Sequence, residues 1–130
     1  MKIIILTLML VTFTITLPAE IPDWEVITGT SYSMVLMAKI YLNEENFTGT
    51  GDNLAGAFGP GGETDCRSLA AWQPDNPPHY EGFWYFTIVG NLESEEISFK
   101  IYAAAFDSVF SCNQSIEFHN DTTLGTPTDP

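Results

Sequence analysis

The chain predicts an all-β fold, a two-layer antiparallel β-sandwich. Three observations carry that expectation. Short runs of Val, Ile, Phe, Tyr and Thr recur between clusters of Gly, Pro, Asn and Asp, the rhythm of short strands and turns. No long segment repeats its apolar residues with a helical period. The hydrophobic fraction of 45% and aromatic fraction of 13% supply a core despite a strongly acidic balance.

The first nineteen residues stand apart. Lys2 precedes an apolar and Thr run from Ile3 to Leu17, followed by Pro18, Ala19 and Glu20. A short positive start, an apolar stretch and a small residue at the cut site make a secretory signal peptide. The run is shorter than the roughly 20 apolar residues of a spanning helix, so no membrane insertion is expected after cleavage. Removing residues 1–19 leaves 111 of the 130 residues, enough for one cored domain.

From Ser33 to Leu42 the alternation is explicit. Met34, Leu36, Ala38, Ile40 and Leu42 form one face. Val35, Met37, Lys39 and Tyr41 form the other, and its apolar content implies partial cover. Asn43 to Gly51 is a polar turn region. Asn53 to Phe58 is a short strand whose Gly56 marks a bulge or a close backbone approach. Gly59 to Gly62 is a hairpin turn, and Thr64 to Ala71 returns as its partner. The prolines between Gln73 and His79 make an irregular loop. Tyr80 to Val89 is the most aromatic strand, with Trp84, Phe86 and Ile88 on one face. Ile97, Phe99, Ile101 and Ala103 then alternate with Ser98, Lys100 and Tyr102, and a last strand lies near Ser115 to Phe118. Seven or eight short strands fit a sandwich of the immunoglobulin-like or cohesin-like kind over residues 20–119. Residues 120–130 read as a polar tail in coil.

Charge excludes whole classes of partner. After cleavage only Lys39, Arg67 and Lys100 remain against 17 acids, a net charge of −14. Such a surface repels nucleic acid and anionic lipid. Self-repulsion that keeps the protein soluble is the simplest use of it. Calcium is the candidate ligand, through Asp52, Asn53, Asp65 or Asp107, although no EF-hand spacing occurs.

In a secreted chain the two cysteines, Cys66 and Cys112, are expected as a disulfide. It would close a loop of 46 residues and contribute about 4 kcal/mol in the chain-entropy treatment. Three Asn-x-Ser/Thr sequons, at Asn46, Asn113 and Asn120, fall in turns, a loop and the tail, where a glycan would not enter the core.

Catalytic patterns are missing. The two histidines, His79 and His119, lie in a loop and near the tail. No nucleophile elbow, zinc-ligand spacing or phosphate-binding loop occurs. Adjacent acids such as Glu44-Glu45 and Glu95-Glu96 read as solvated turns rather than a glycosidase pair. The chain is expected not to be an enzyme. Trp72, Tyr80 and Trp84 offer aromatic faces for a sugar ring, against the simpler reading that Trp84 is core and Trp72 packs beneath the Pro-rich loop.

A set of short motifs carries a resemblance. Trp24 lies upstream of Tyr32-Ser33-Met34. Asp52 to Phe58 precedes Cys66-Arg67-Ser68. Tyr80 precedes the aromatic strand and Gly90-Asn91. Glu96 to Tyr102 is followed by Ile116-Glu117-Phe118 and Gly125-Thr126-Pro127. Together they resemble a β-sandwich module of large secreted bacterial surface proteins, multidomain proteins of the type IX secretion kind. The resemblance covers nearly the whole mature chain and implies extracellular display without catalysis. Such modules usually continue past the equivalent of Pro130 into a short apolar strand. This chain is therefore expected to be either a fragment or a sandwich short of one edge strand. An unpaired edge is a template for strand addition. The expected function is a secreted structural, adhesive or assembly subunit that pairs with itself or another extracellular protein. The alternative is a carbohydrate-binding module whose partners are glycans.

Overall fold

The computed structural model describes residues 2–5 and 20–130. The leader assignment falls mostly on residues 1 and 6–19, outside the described residues. Eleven strands are described: β1 (Lys2–Ile5), β2 (Tyr32–Leu42), β3 (Glu45–Asn46), β4 (Leu54–Phe58), β5 (Cys66–Leu69), β6 (Ala71–Gln73), β7 (Phe83–Gly90), β8 (Glu96–Ala103), β9 (Ser108–Ser111), β10 (Ile116–Glu117) and β11 (Thr123–Leu124). They form two sheets, packed as the sandwich the sequence predicts. One runs β1-β2-β7-β6, with β3 and β11 also paired to β2. The other runs β10-β8-β4-β5, with β9 also paired to β8.

The alternation in β2 sets the core. Met34, Leu36, Ala38, Ile40 and Leu42 are buried and meet Trp84, Phe86 and Ile88 from β7. The antiparallel register pairs Leu36 with Phe86 and Ala38 with Trp84, so these rows share a face. The opposite layer contributes Ala55 and Ala57 from β4 and Ile97, Phe99, Ile101 and Ala103 from β8. Phe86 and Phe99 meet edge to face across the layers, with ring centroids 5.3 Å apart. The β2–β3 hairpin turns on Asn43 and Glu44, both at positive φ, the backbone that matches the twist of a two-residue turn.

A second, smaller apolar cluster lies on the outer face of the β4-β5-β8 sheet. Trp24 covers Phe58, Cys66 and Tyr102 there, and its ring meets Phe58 at 5.0 Å, edge on. The segment that carries Trp24 is tied to β5: Val26 bridges Cys66, and the Ile27 N–H donates to the Cys66 carbonyl at 2.9 Å. Trp24 Nε1 donates to Glu63 at 2.8 Å. Gly56 lies under these rings. A Cβ there would come within 2.9 Å of the Phe58 ring and 3.2 Å of Trp24, which is the close approach its sequence position suggested.

Two expectations need correction. Thr64 to Ala71 is not one strand. A 3-10 turn covers Gly62–Thr64, β5 stops at Leu69, and β6 begins at Ala71 in the other sheet. The chain thus changes layer around Ala70. Nor is the tail coil. The Val35 N–H donates to the Thr122 carbonyl and the Asp121 N–H to the Ser33 carbonyl, and β11 pairs in parallel with Val35 and Leu36. Polar side chains suggested coil because they say nothing about backbone groups, and those complete part of the β2 edge.

Ser68 sits beside Ala57 in the β4–β5 register and is buried. Its hydroxyl is the one buried side-chain polar atom without a hydrogen bond among the described residues. An orphaned hydroxyl keeps its desolvation cost and gains nothing in return. Ser68→Ala is therefore expected to stabilise the protein by about 1 kcal/mol. A urea melt would show it as a higher midpoint at unchanged slope; a lower midpoint would mean that the hydroxyl has a partner.

Candidate interaction surfaces

The two cysteines are the first correction at the level of sites. Cys66 points into the outer cluster with Trp24 and Phe58, whereas Cys112 packs against the main core. The β-sheet separates them, and both thiols are free. An even count in a secreted chain suggested a bridge, but the strand phase puts Cys66 and Cys112 on opposite faces. Burial pushes the Cys112 thiol up to about 12 and also raises Cys66, so neither is a ready nucleophile. Intact mass is expected to be the same with and without reductant. Alkylation should modify Cys66 only once the chain unfolds, and rapid native labelling of Cys66 would contradict this placement.

The oxygen-rich candidates divide into two groups. Asp52, Asn53 and Asp107 lie beyond the start of β4, and Asp65 lies beyond its end. Five intervening residues separate them by roughly 20 Å. Asn53 is committed at both ends of its amide: Nδ2 donates to the Thr48 carbonyl at 2.8 Å, and Oδ1 accepts from the Ala104 N–H at 2.9 Å. Asp107 accepts the Tyr102 hydroxyl at 2.6 Å. That bond, more than burial or the Asp52 charge, pushes the phenol up to about 12. Asp65 is held by Arg67. No three His, Cys, Asp or Glu side chains group as a metal site among the described residues.

Arg67 is the polar feature that sequence reasoning passed over. Its guanidinium is buried and forks twice. Nε donates to Asp65 at 2.8 Å, and Nη1 and Nη2 donate to Glu95 at 3.0 and 3.1 Å. Nη1 also reaches the Val89 carbonyl at 3.2 Å. This ties the end of the β4–β5 hairpin to the turn between β7 and β8, and so one sheet to the other. A lone arginine in an acidic chain was the available signal.

The aromatic candidates do not act together. Trp84 is 2% exposed and belongs to the core, so it offers no face to a sugar. Trp72 is half-buried, pairs with Trp84 in register and meets its ring edge on at 5.2 Å. Tyr80 is half-buried against Phe83. Trp72 borders an open groove of about 500 Å³ with Tyr41, Lys39, Asp75 and Glu81. Gly49 and Gly82 clamp it, since a Cβ on either would fall within 2.4 Å of the indole. Lys39 pairs with Glu81 across this groove.

The sequons sit differently. Asn46, on β3, and Asn113 are exposed. Asn120 is half-buried and its amide oxygen accepts the Ser33 N–H at 3.1 Å, so it helps start β2. Beside it, His119 lies between Glu93 and Glu117 at 3.2 and 3.4 Å on an exposed surface. Hydrogen bonds from the Asn120 N–H and His119 lower the Glu93 pKa.

The remaining surface is the outer edge of β2. β7 occupies one edge from Tyr32 to Ala38. On the other edge β11 takes Val35 and Leu36, and Lys2–Ile5 take Lys39 to Leu42, both in parallel. Among the described residues no helix is long and apolar enough to cross a membrane. Comparison with family models, curated proteins and solved structures found no match to this chain.

Proposed function

We propose that the mature chain is a secreted, non-catalytic β-sandwich that serves as a structural, adhesive or assembly subunit and joins neighbours by strand addition. One observation carries the reading. The β2 edge from Lys39 to Leu42 is closed by residues 2–5, part of the segment whose composition is that of a cleaved leader. Cleavage would leave four residues of backbone donors and acceptors without that partner, and an unpaired edge recruits strands. The resemblance to displayed surface modules supports the same reading. The test is sizing of the chain processed after Ala19 over a wide concentration range. Concentration-dependent association is expected, and a monomer at every concentration that captures no extracellular partner would refute the role.

The groove beside Trp72 favours a second reading, a carbohydrate-binding module. An indole edge with Tyr41, Asp75 and Lys39 around it is chemistry that suits a sugar. A glycan array on the wild type and on Trp72→Ala separates the two readings. Signal lost in the variant would support sugar binding, and no signal from either would remove it.

A further inference from the structure

We propose that the groove beside Trp72 continues past Lys39 to the Pro-rich loop and binds an extended, uncharged oligosaccharide rather than a single sugar or an acidic glycan. The inference rests on the carbohydrate-binding reading and names the ligand class and the length of its site.

Two depressions meet on one surface. The first holds Trp72, Tyr41, Thr48 and Gly82. The second, also about 500 Å³, lies between the loop that carries Pro77, Pro78 and Tyr80 and the turn that carries Pro127, Thr128 and Pro130. Lys39, Asp75 and Glu81 line both, so the two are one groove with an aromatic ring in each half. Its walls are preformed. The Asn76 N–H donates to the Tyr80 carbonyl at 2.8 Å and the Tyr80 N–H to the Asn76 carbonyl at 3.1 Å, which closes the Pro-rich loop. On the far wall the Thr126 and Asp129 backbones bond each other in the same way, at 3.0 and 3.1 Å. Tyr80 is held edge on against Phe83, with ring centroids 5.4 Å apart. Proline rings fix φ at both turns, so little conformational freedom remains to be lost on binding.

The lining selects the ligand. The half-buried rings of Trp72 and Tyr80 offer apolar contact to the C–H face of a sugar. Lys39 donates hydrogen bonds, and Asp75 and Glu81 accept them from hydroxyls. A polyol with one apolar face uses all of these groups, whereas a hydrocarbon would strand the charged ones without partners. His79 apart, the charges of the groove are one ammonium and two carboxylates. Glu81 pairs with Lys39, so the ammonium presents no net charge to an anion, and Asp75 is exposed beside them. In a chain at −13 that arrangement repels uronic and other acidic sugars and admits uncharged ones. Length follows from placement. Trp72 lies in one half and Tyr80 in the other, so a single pyranose meets one ring. A chain of several units meets both and crosses the Lys39–Glu81 pair between them.

The test titrates the full chain with uncharged gluco-, manno- and xylo-oligosaccharides of one to six units, in both anomeric linkages, and with uronic-acid oligomers of the same lengths. Uncharged oligomers should bind, with affinity rising at least about tenfold between one unit and four. Trp72→Ala and Tyr80→Ala should each weaken binding of the tetramer at least about tenfold. Thr128 is exposed on the far wall, so Thr128→Trp fills the second half without disturbing the core. It should abolish the gain from added units, and it decides the matter where Tyr80→Ala fails to fold. Equal affinity for one unit and four, tighter binding of acidic oligomers, or indifference to both Tyr80→Ala and Thr128→Trp would overturn the extended groove and leave sugar binding beside Trp72 standing. No binding of any oligomer in the series would remove the carbohydrate-binding reading and this inference with it.

Discussion

Arg67→Ala is expected to destabilise the protein by about 3 kcal/mol, the cost of removing one partner from a buried ionic group. Arg67 is 5% exposed and gives five hydrogen bonds, four to carboxylate oxygens of Asp65 and Glu95 and one to the Val89 carbonyl. Alanine would leave two half-buried acids facing a void in a chain already at −13, with no cation to replace the guanidinium. The low end of the range applies because both carboxylates keep some water. Arg67→Lys should recover little, because an ammonium cannot fork to two carboxylates. Two glycines make room for the group: a Cβ on Gly59 or Gly90 would come within 2.5 or 3.0 Å of it. Urea melts at neutral pH measure the loss, and a cost below 1 kcal/mol would mean that the network is idle.

The same network carries a pH signature. Hydrogen bonding to Arg67 holds the Asp65 carboxyl below its ordinary value of 3.8. A group whose folded pKa is depressed contributes stability above its unfolded pKa and loses it as pH falls through the folded value. The contribution is therefore complete above about pH 4 and disappears below it. The exposed Glu63 and Glu93 carboxyls are also lowered by the hydrogen bonds they accept and act in the same sense. The difference between wild type and Arg67→Ala isolates the part that depends on Arg67, and the gap should narrow as pH drops from 5 toward 2.

Trp84→Ala is expected to cost about 3–5 kcal/mol. The indole heads the fully buried side chains by volume. It stacks on Phe47 with centroids 5.7 Å apart and meets Trp72 edge on. Its Nε1 donates to the Phe47 carbonyl at 2.8 Å. Alanine would open a cavity between β2, β7 and the loop after β3 and would orphan that carbonyl. Trp84→Phe separates the two effects: it keeps most of the volume and loses the hydrogen bond, for about 1–3 kcal/mol. Equal costs for the two variants would show that the hydrogen bond, not the volume, dominates.

Much of the architecture was legible in the chain because strand phase is a local property. Met34 to Leu42 and Ile97 to Ala103 show their buried rows in the alternation itself, and Gly56 announced a close approach before the rings above it were placed. What escaped was whatever depends on the backbone or on distant partners. β11 was hidden because Thr123 and Leu124 sit among polar and turn residues, while their pairing uses main-chain groups. The change of layer after Leu69 was hidden because neighbouring short strands share one composition.

The candidate sites were less legible for a related reason. Residue type marked Cys66, Cys112, Asp65 and Trp84 as chemically capable, but capability is not placement. One sheet separates the thiols, an arginine occupies Asp65, and the core encloses Trp84. Sequence alone determined the layers and their inward rows, because burial follows a period of two. Only the tertiary structure decided which rims meet at Arg67, which aromatic ring borders a groove, and which strand closes the β2 edge. Those depend on long-range register, which no local pattern encodes.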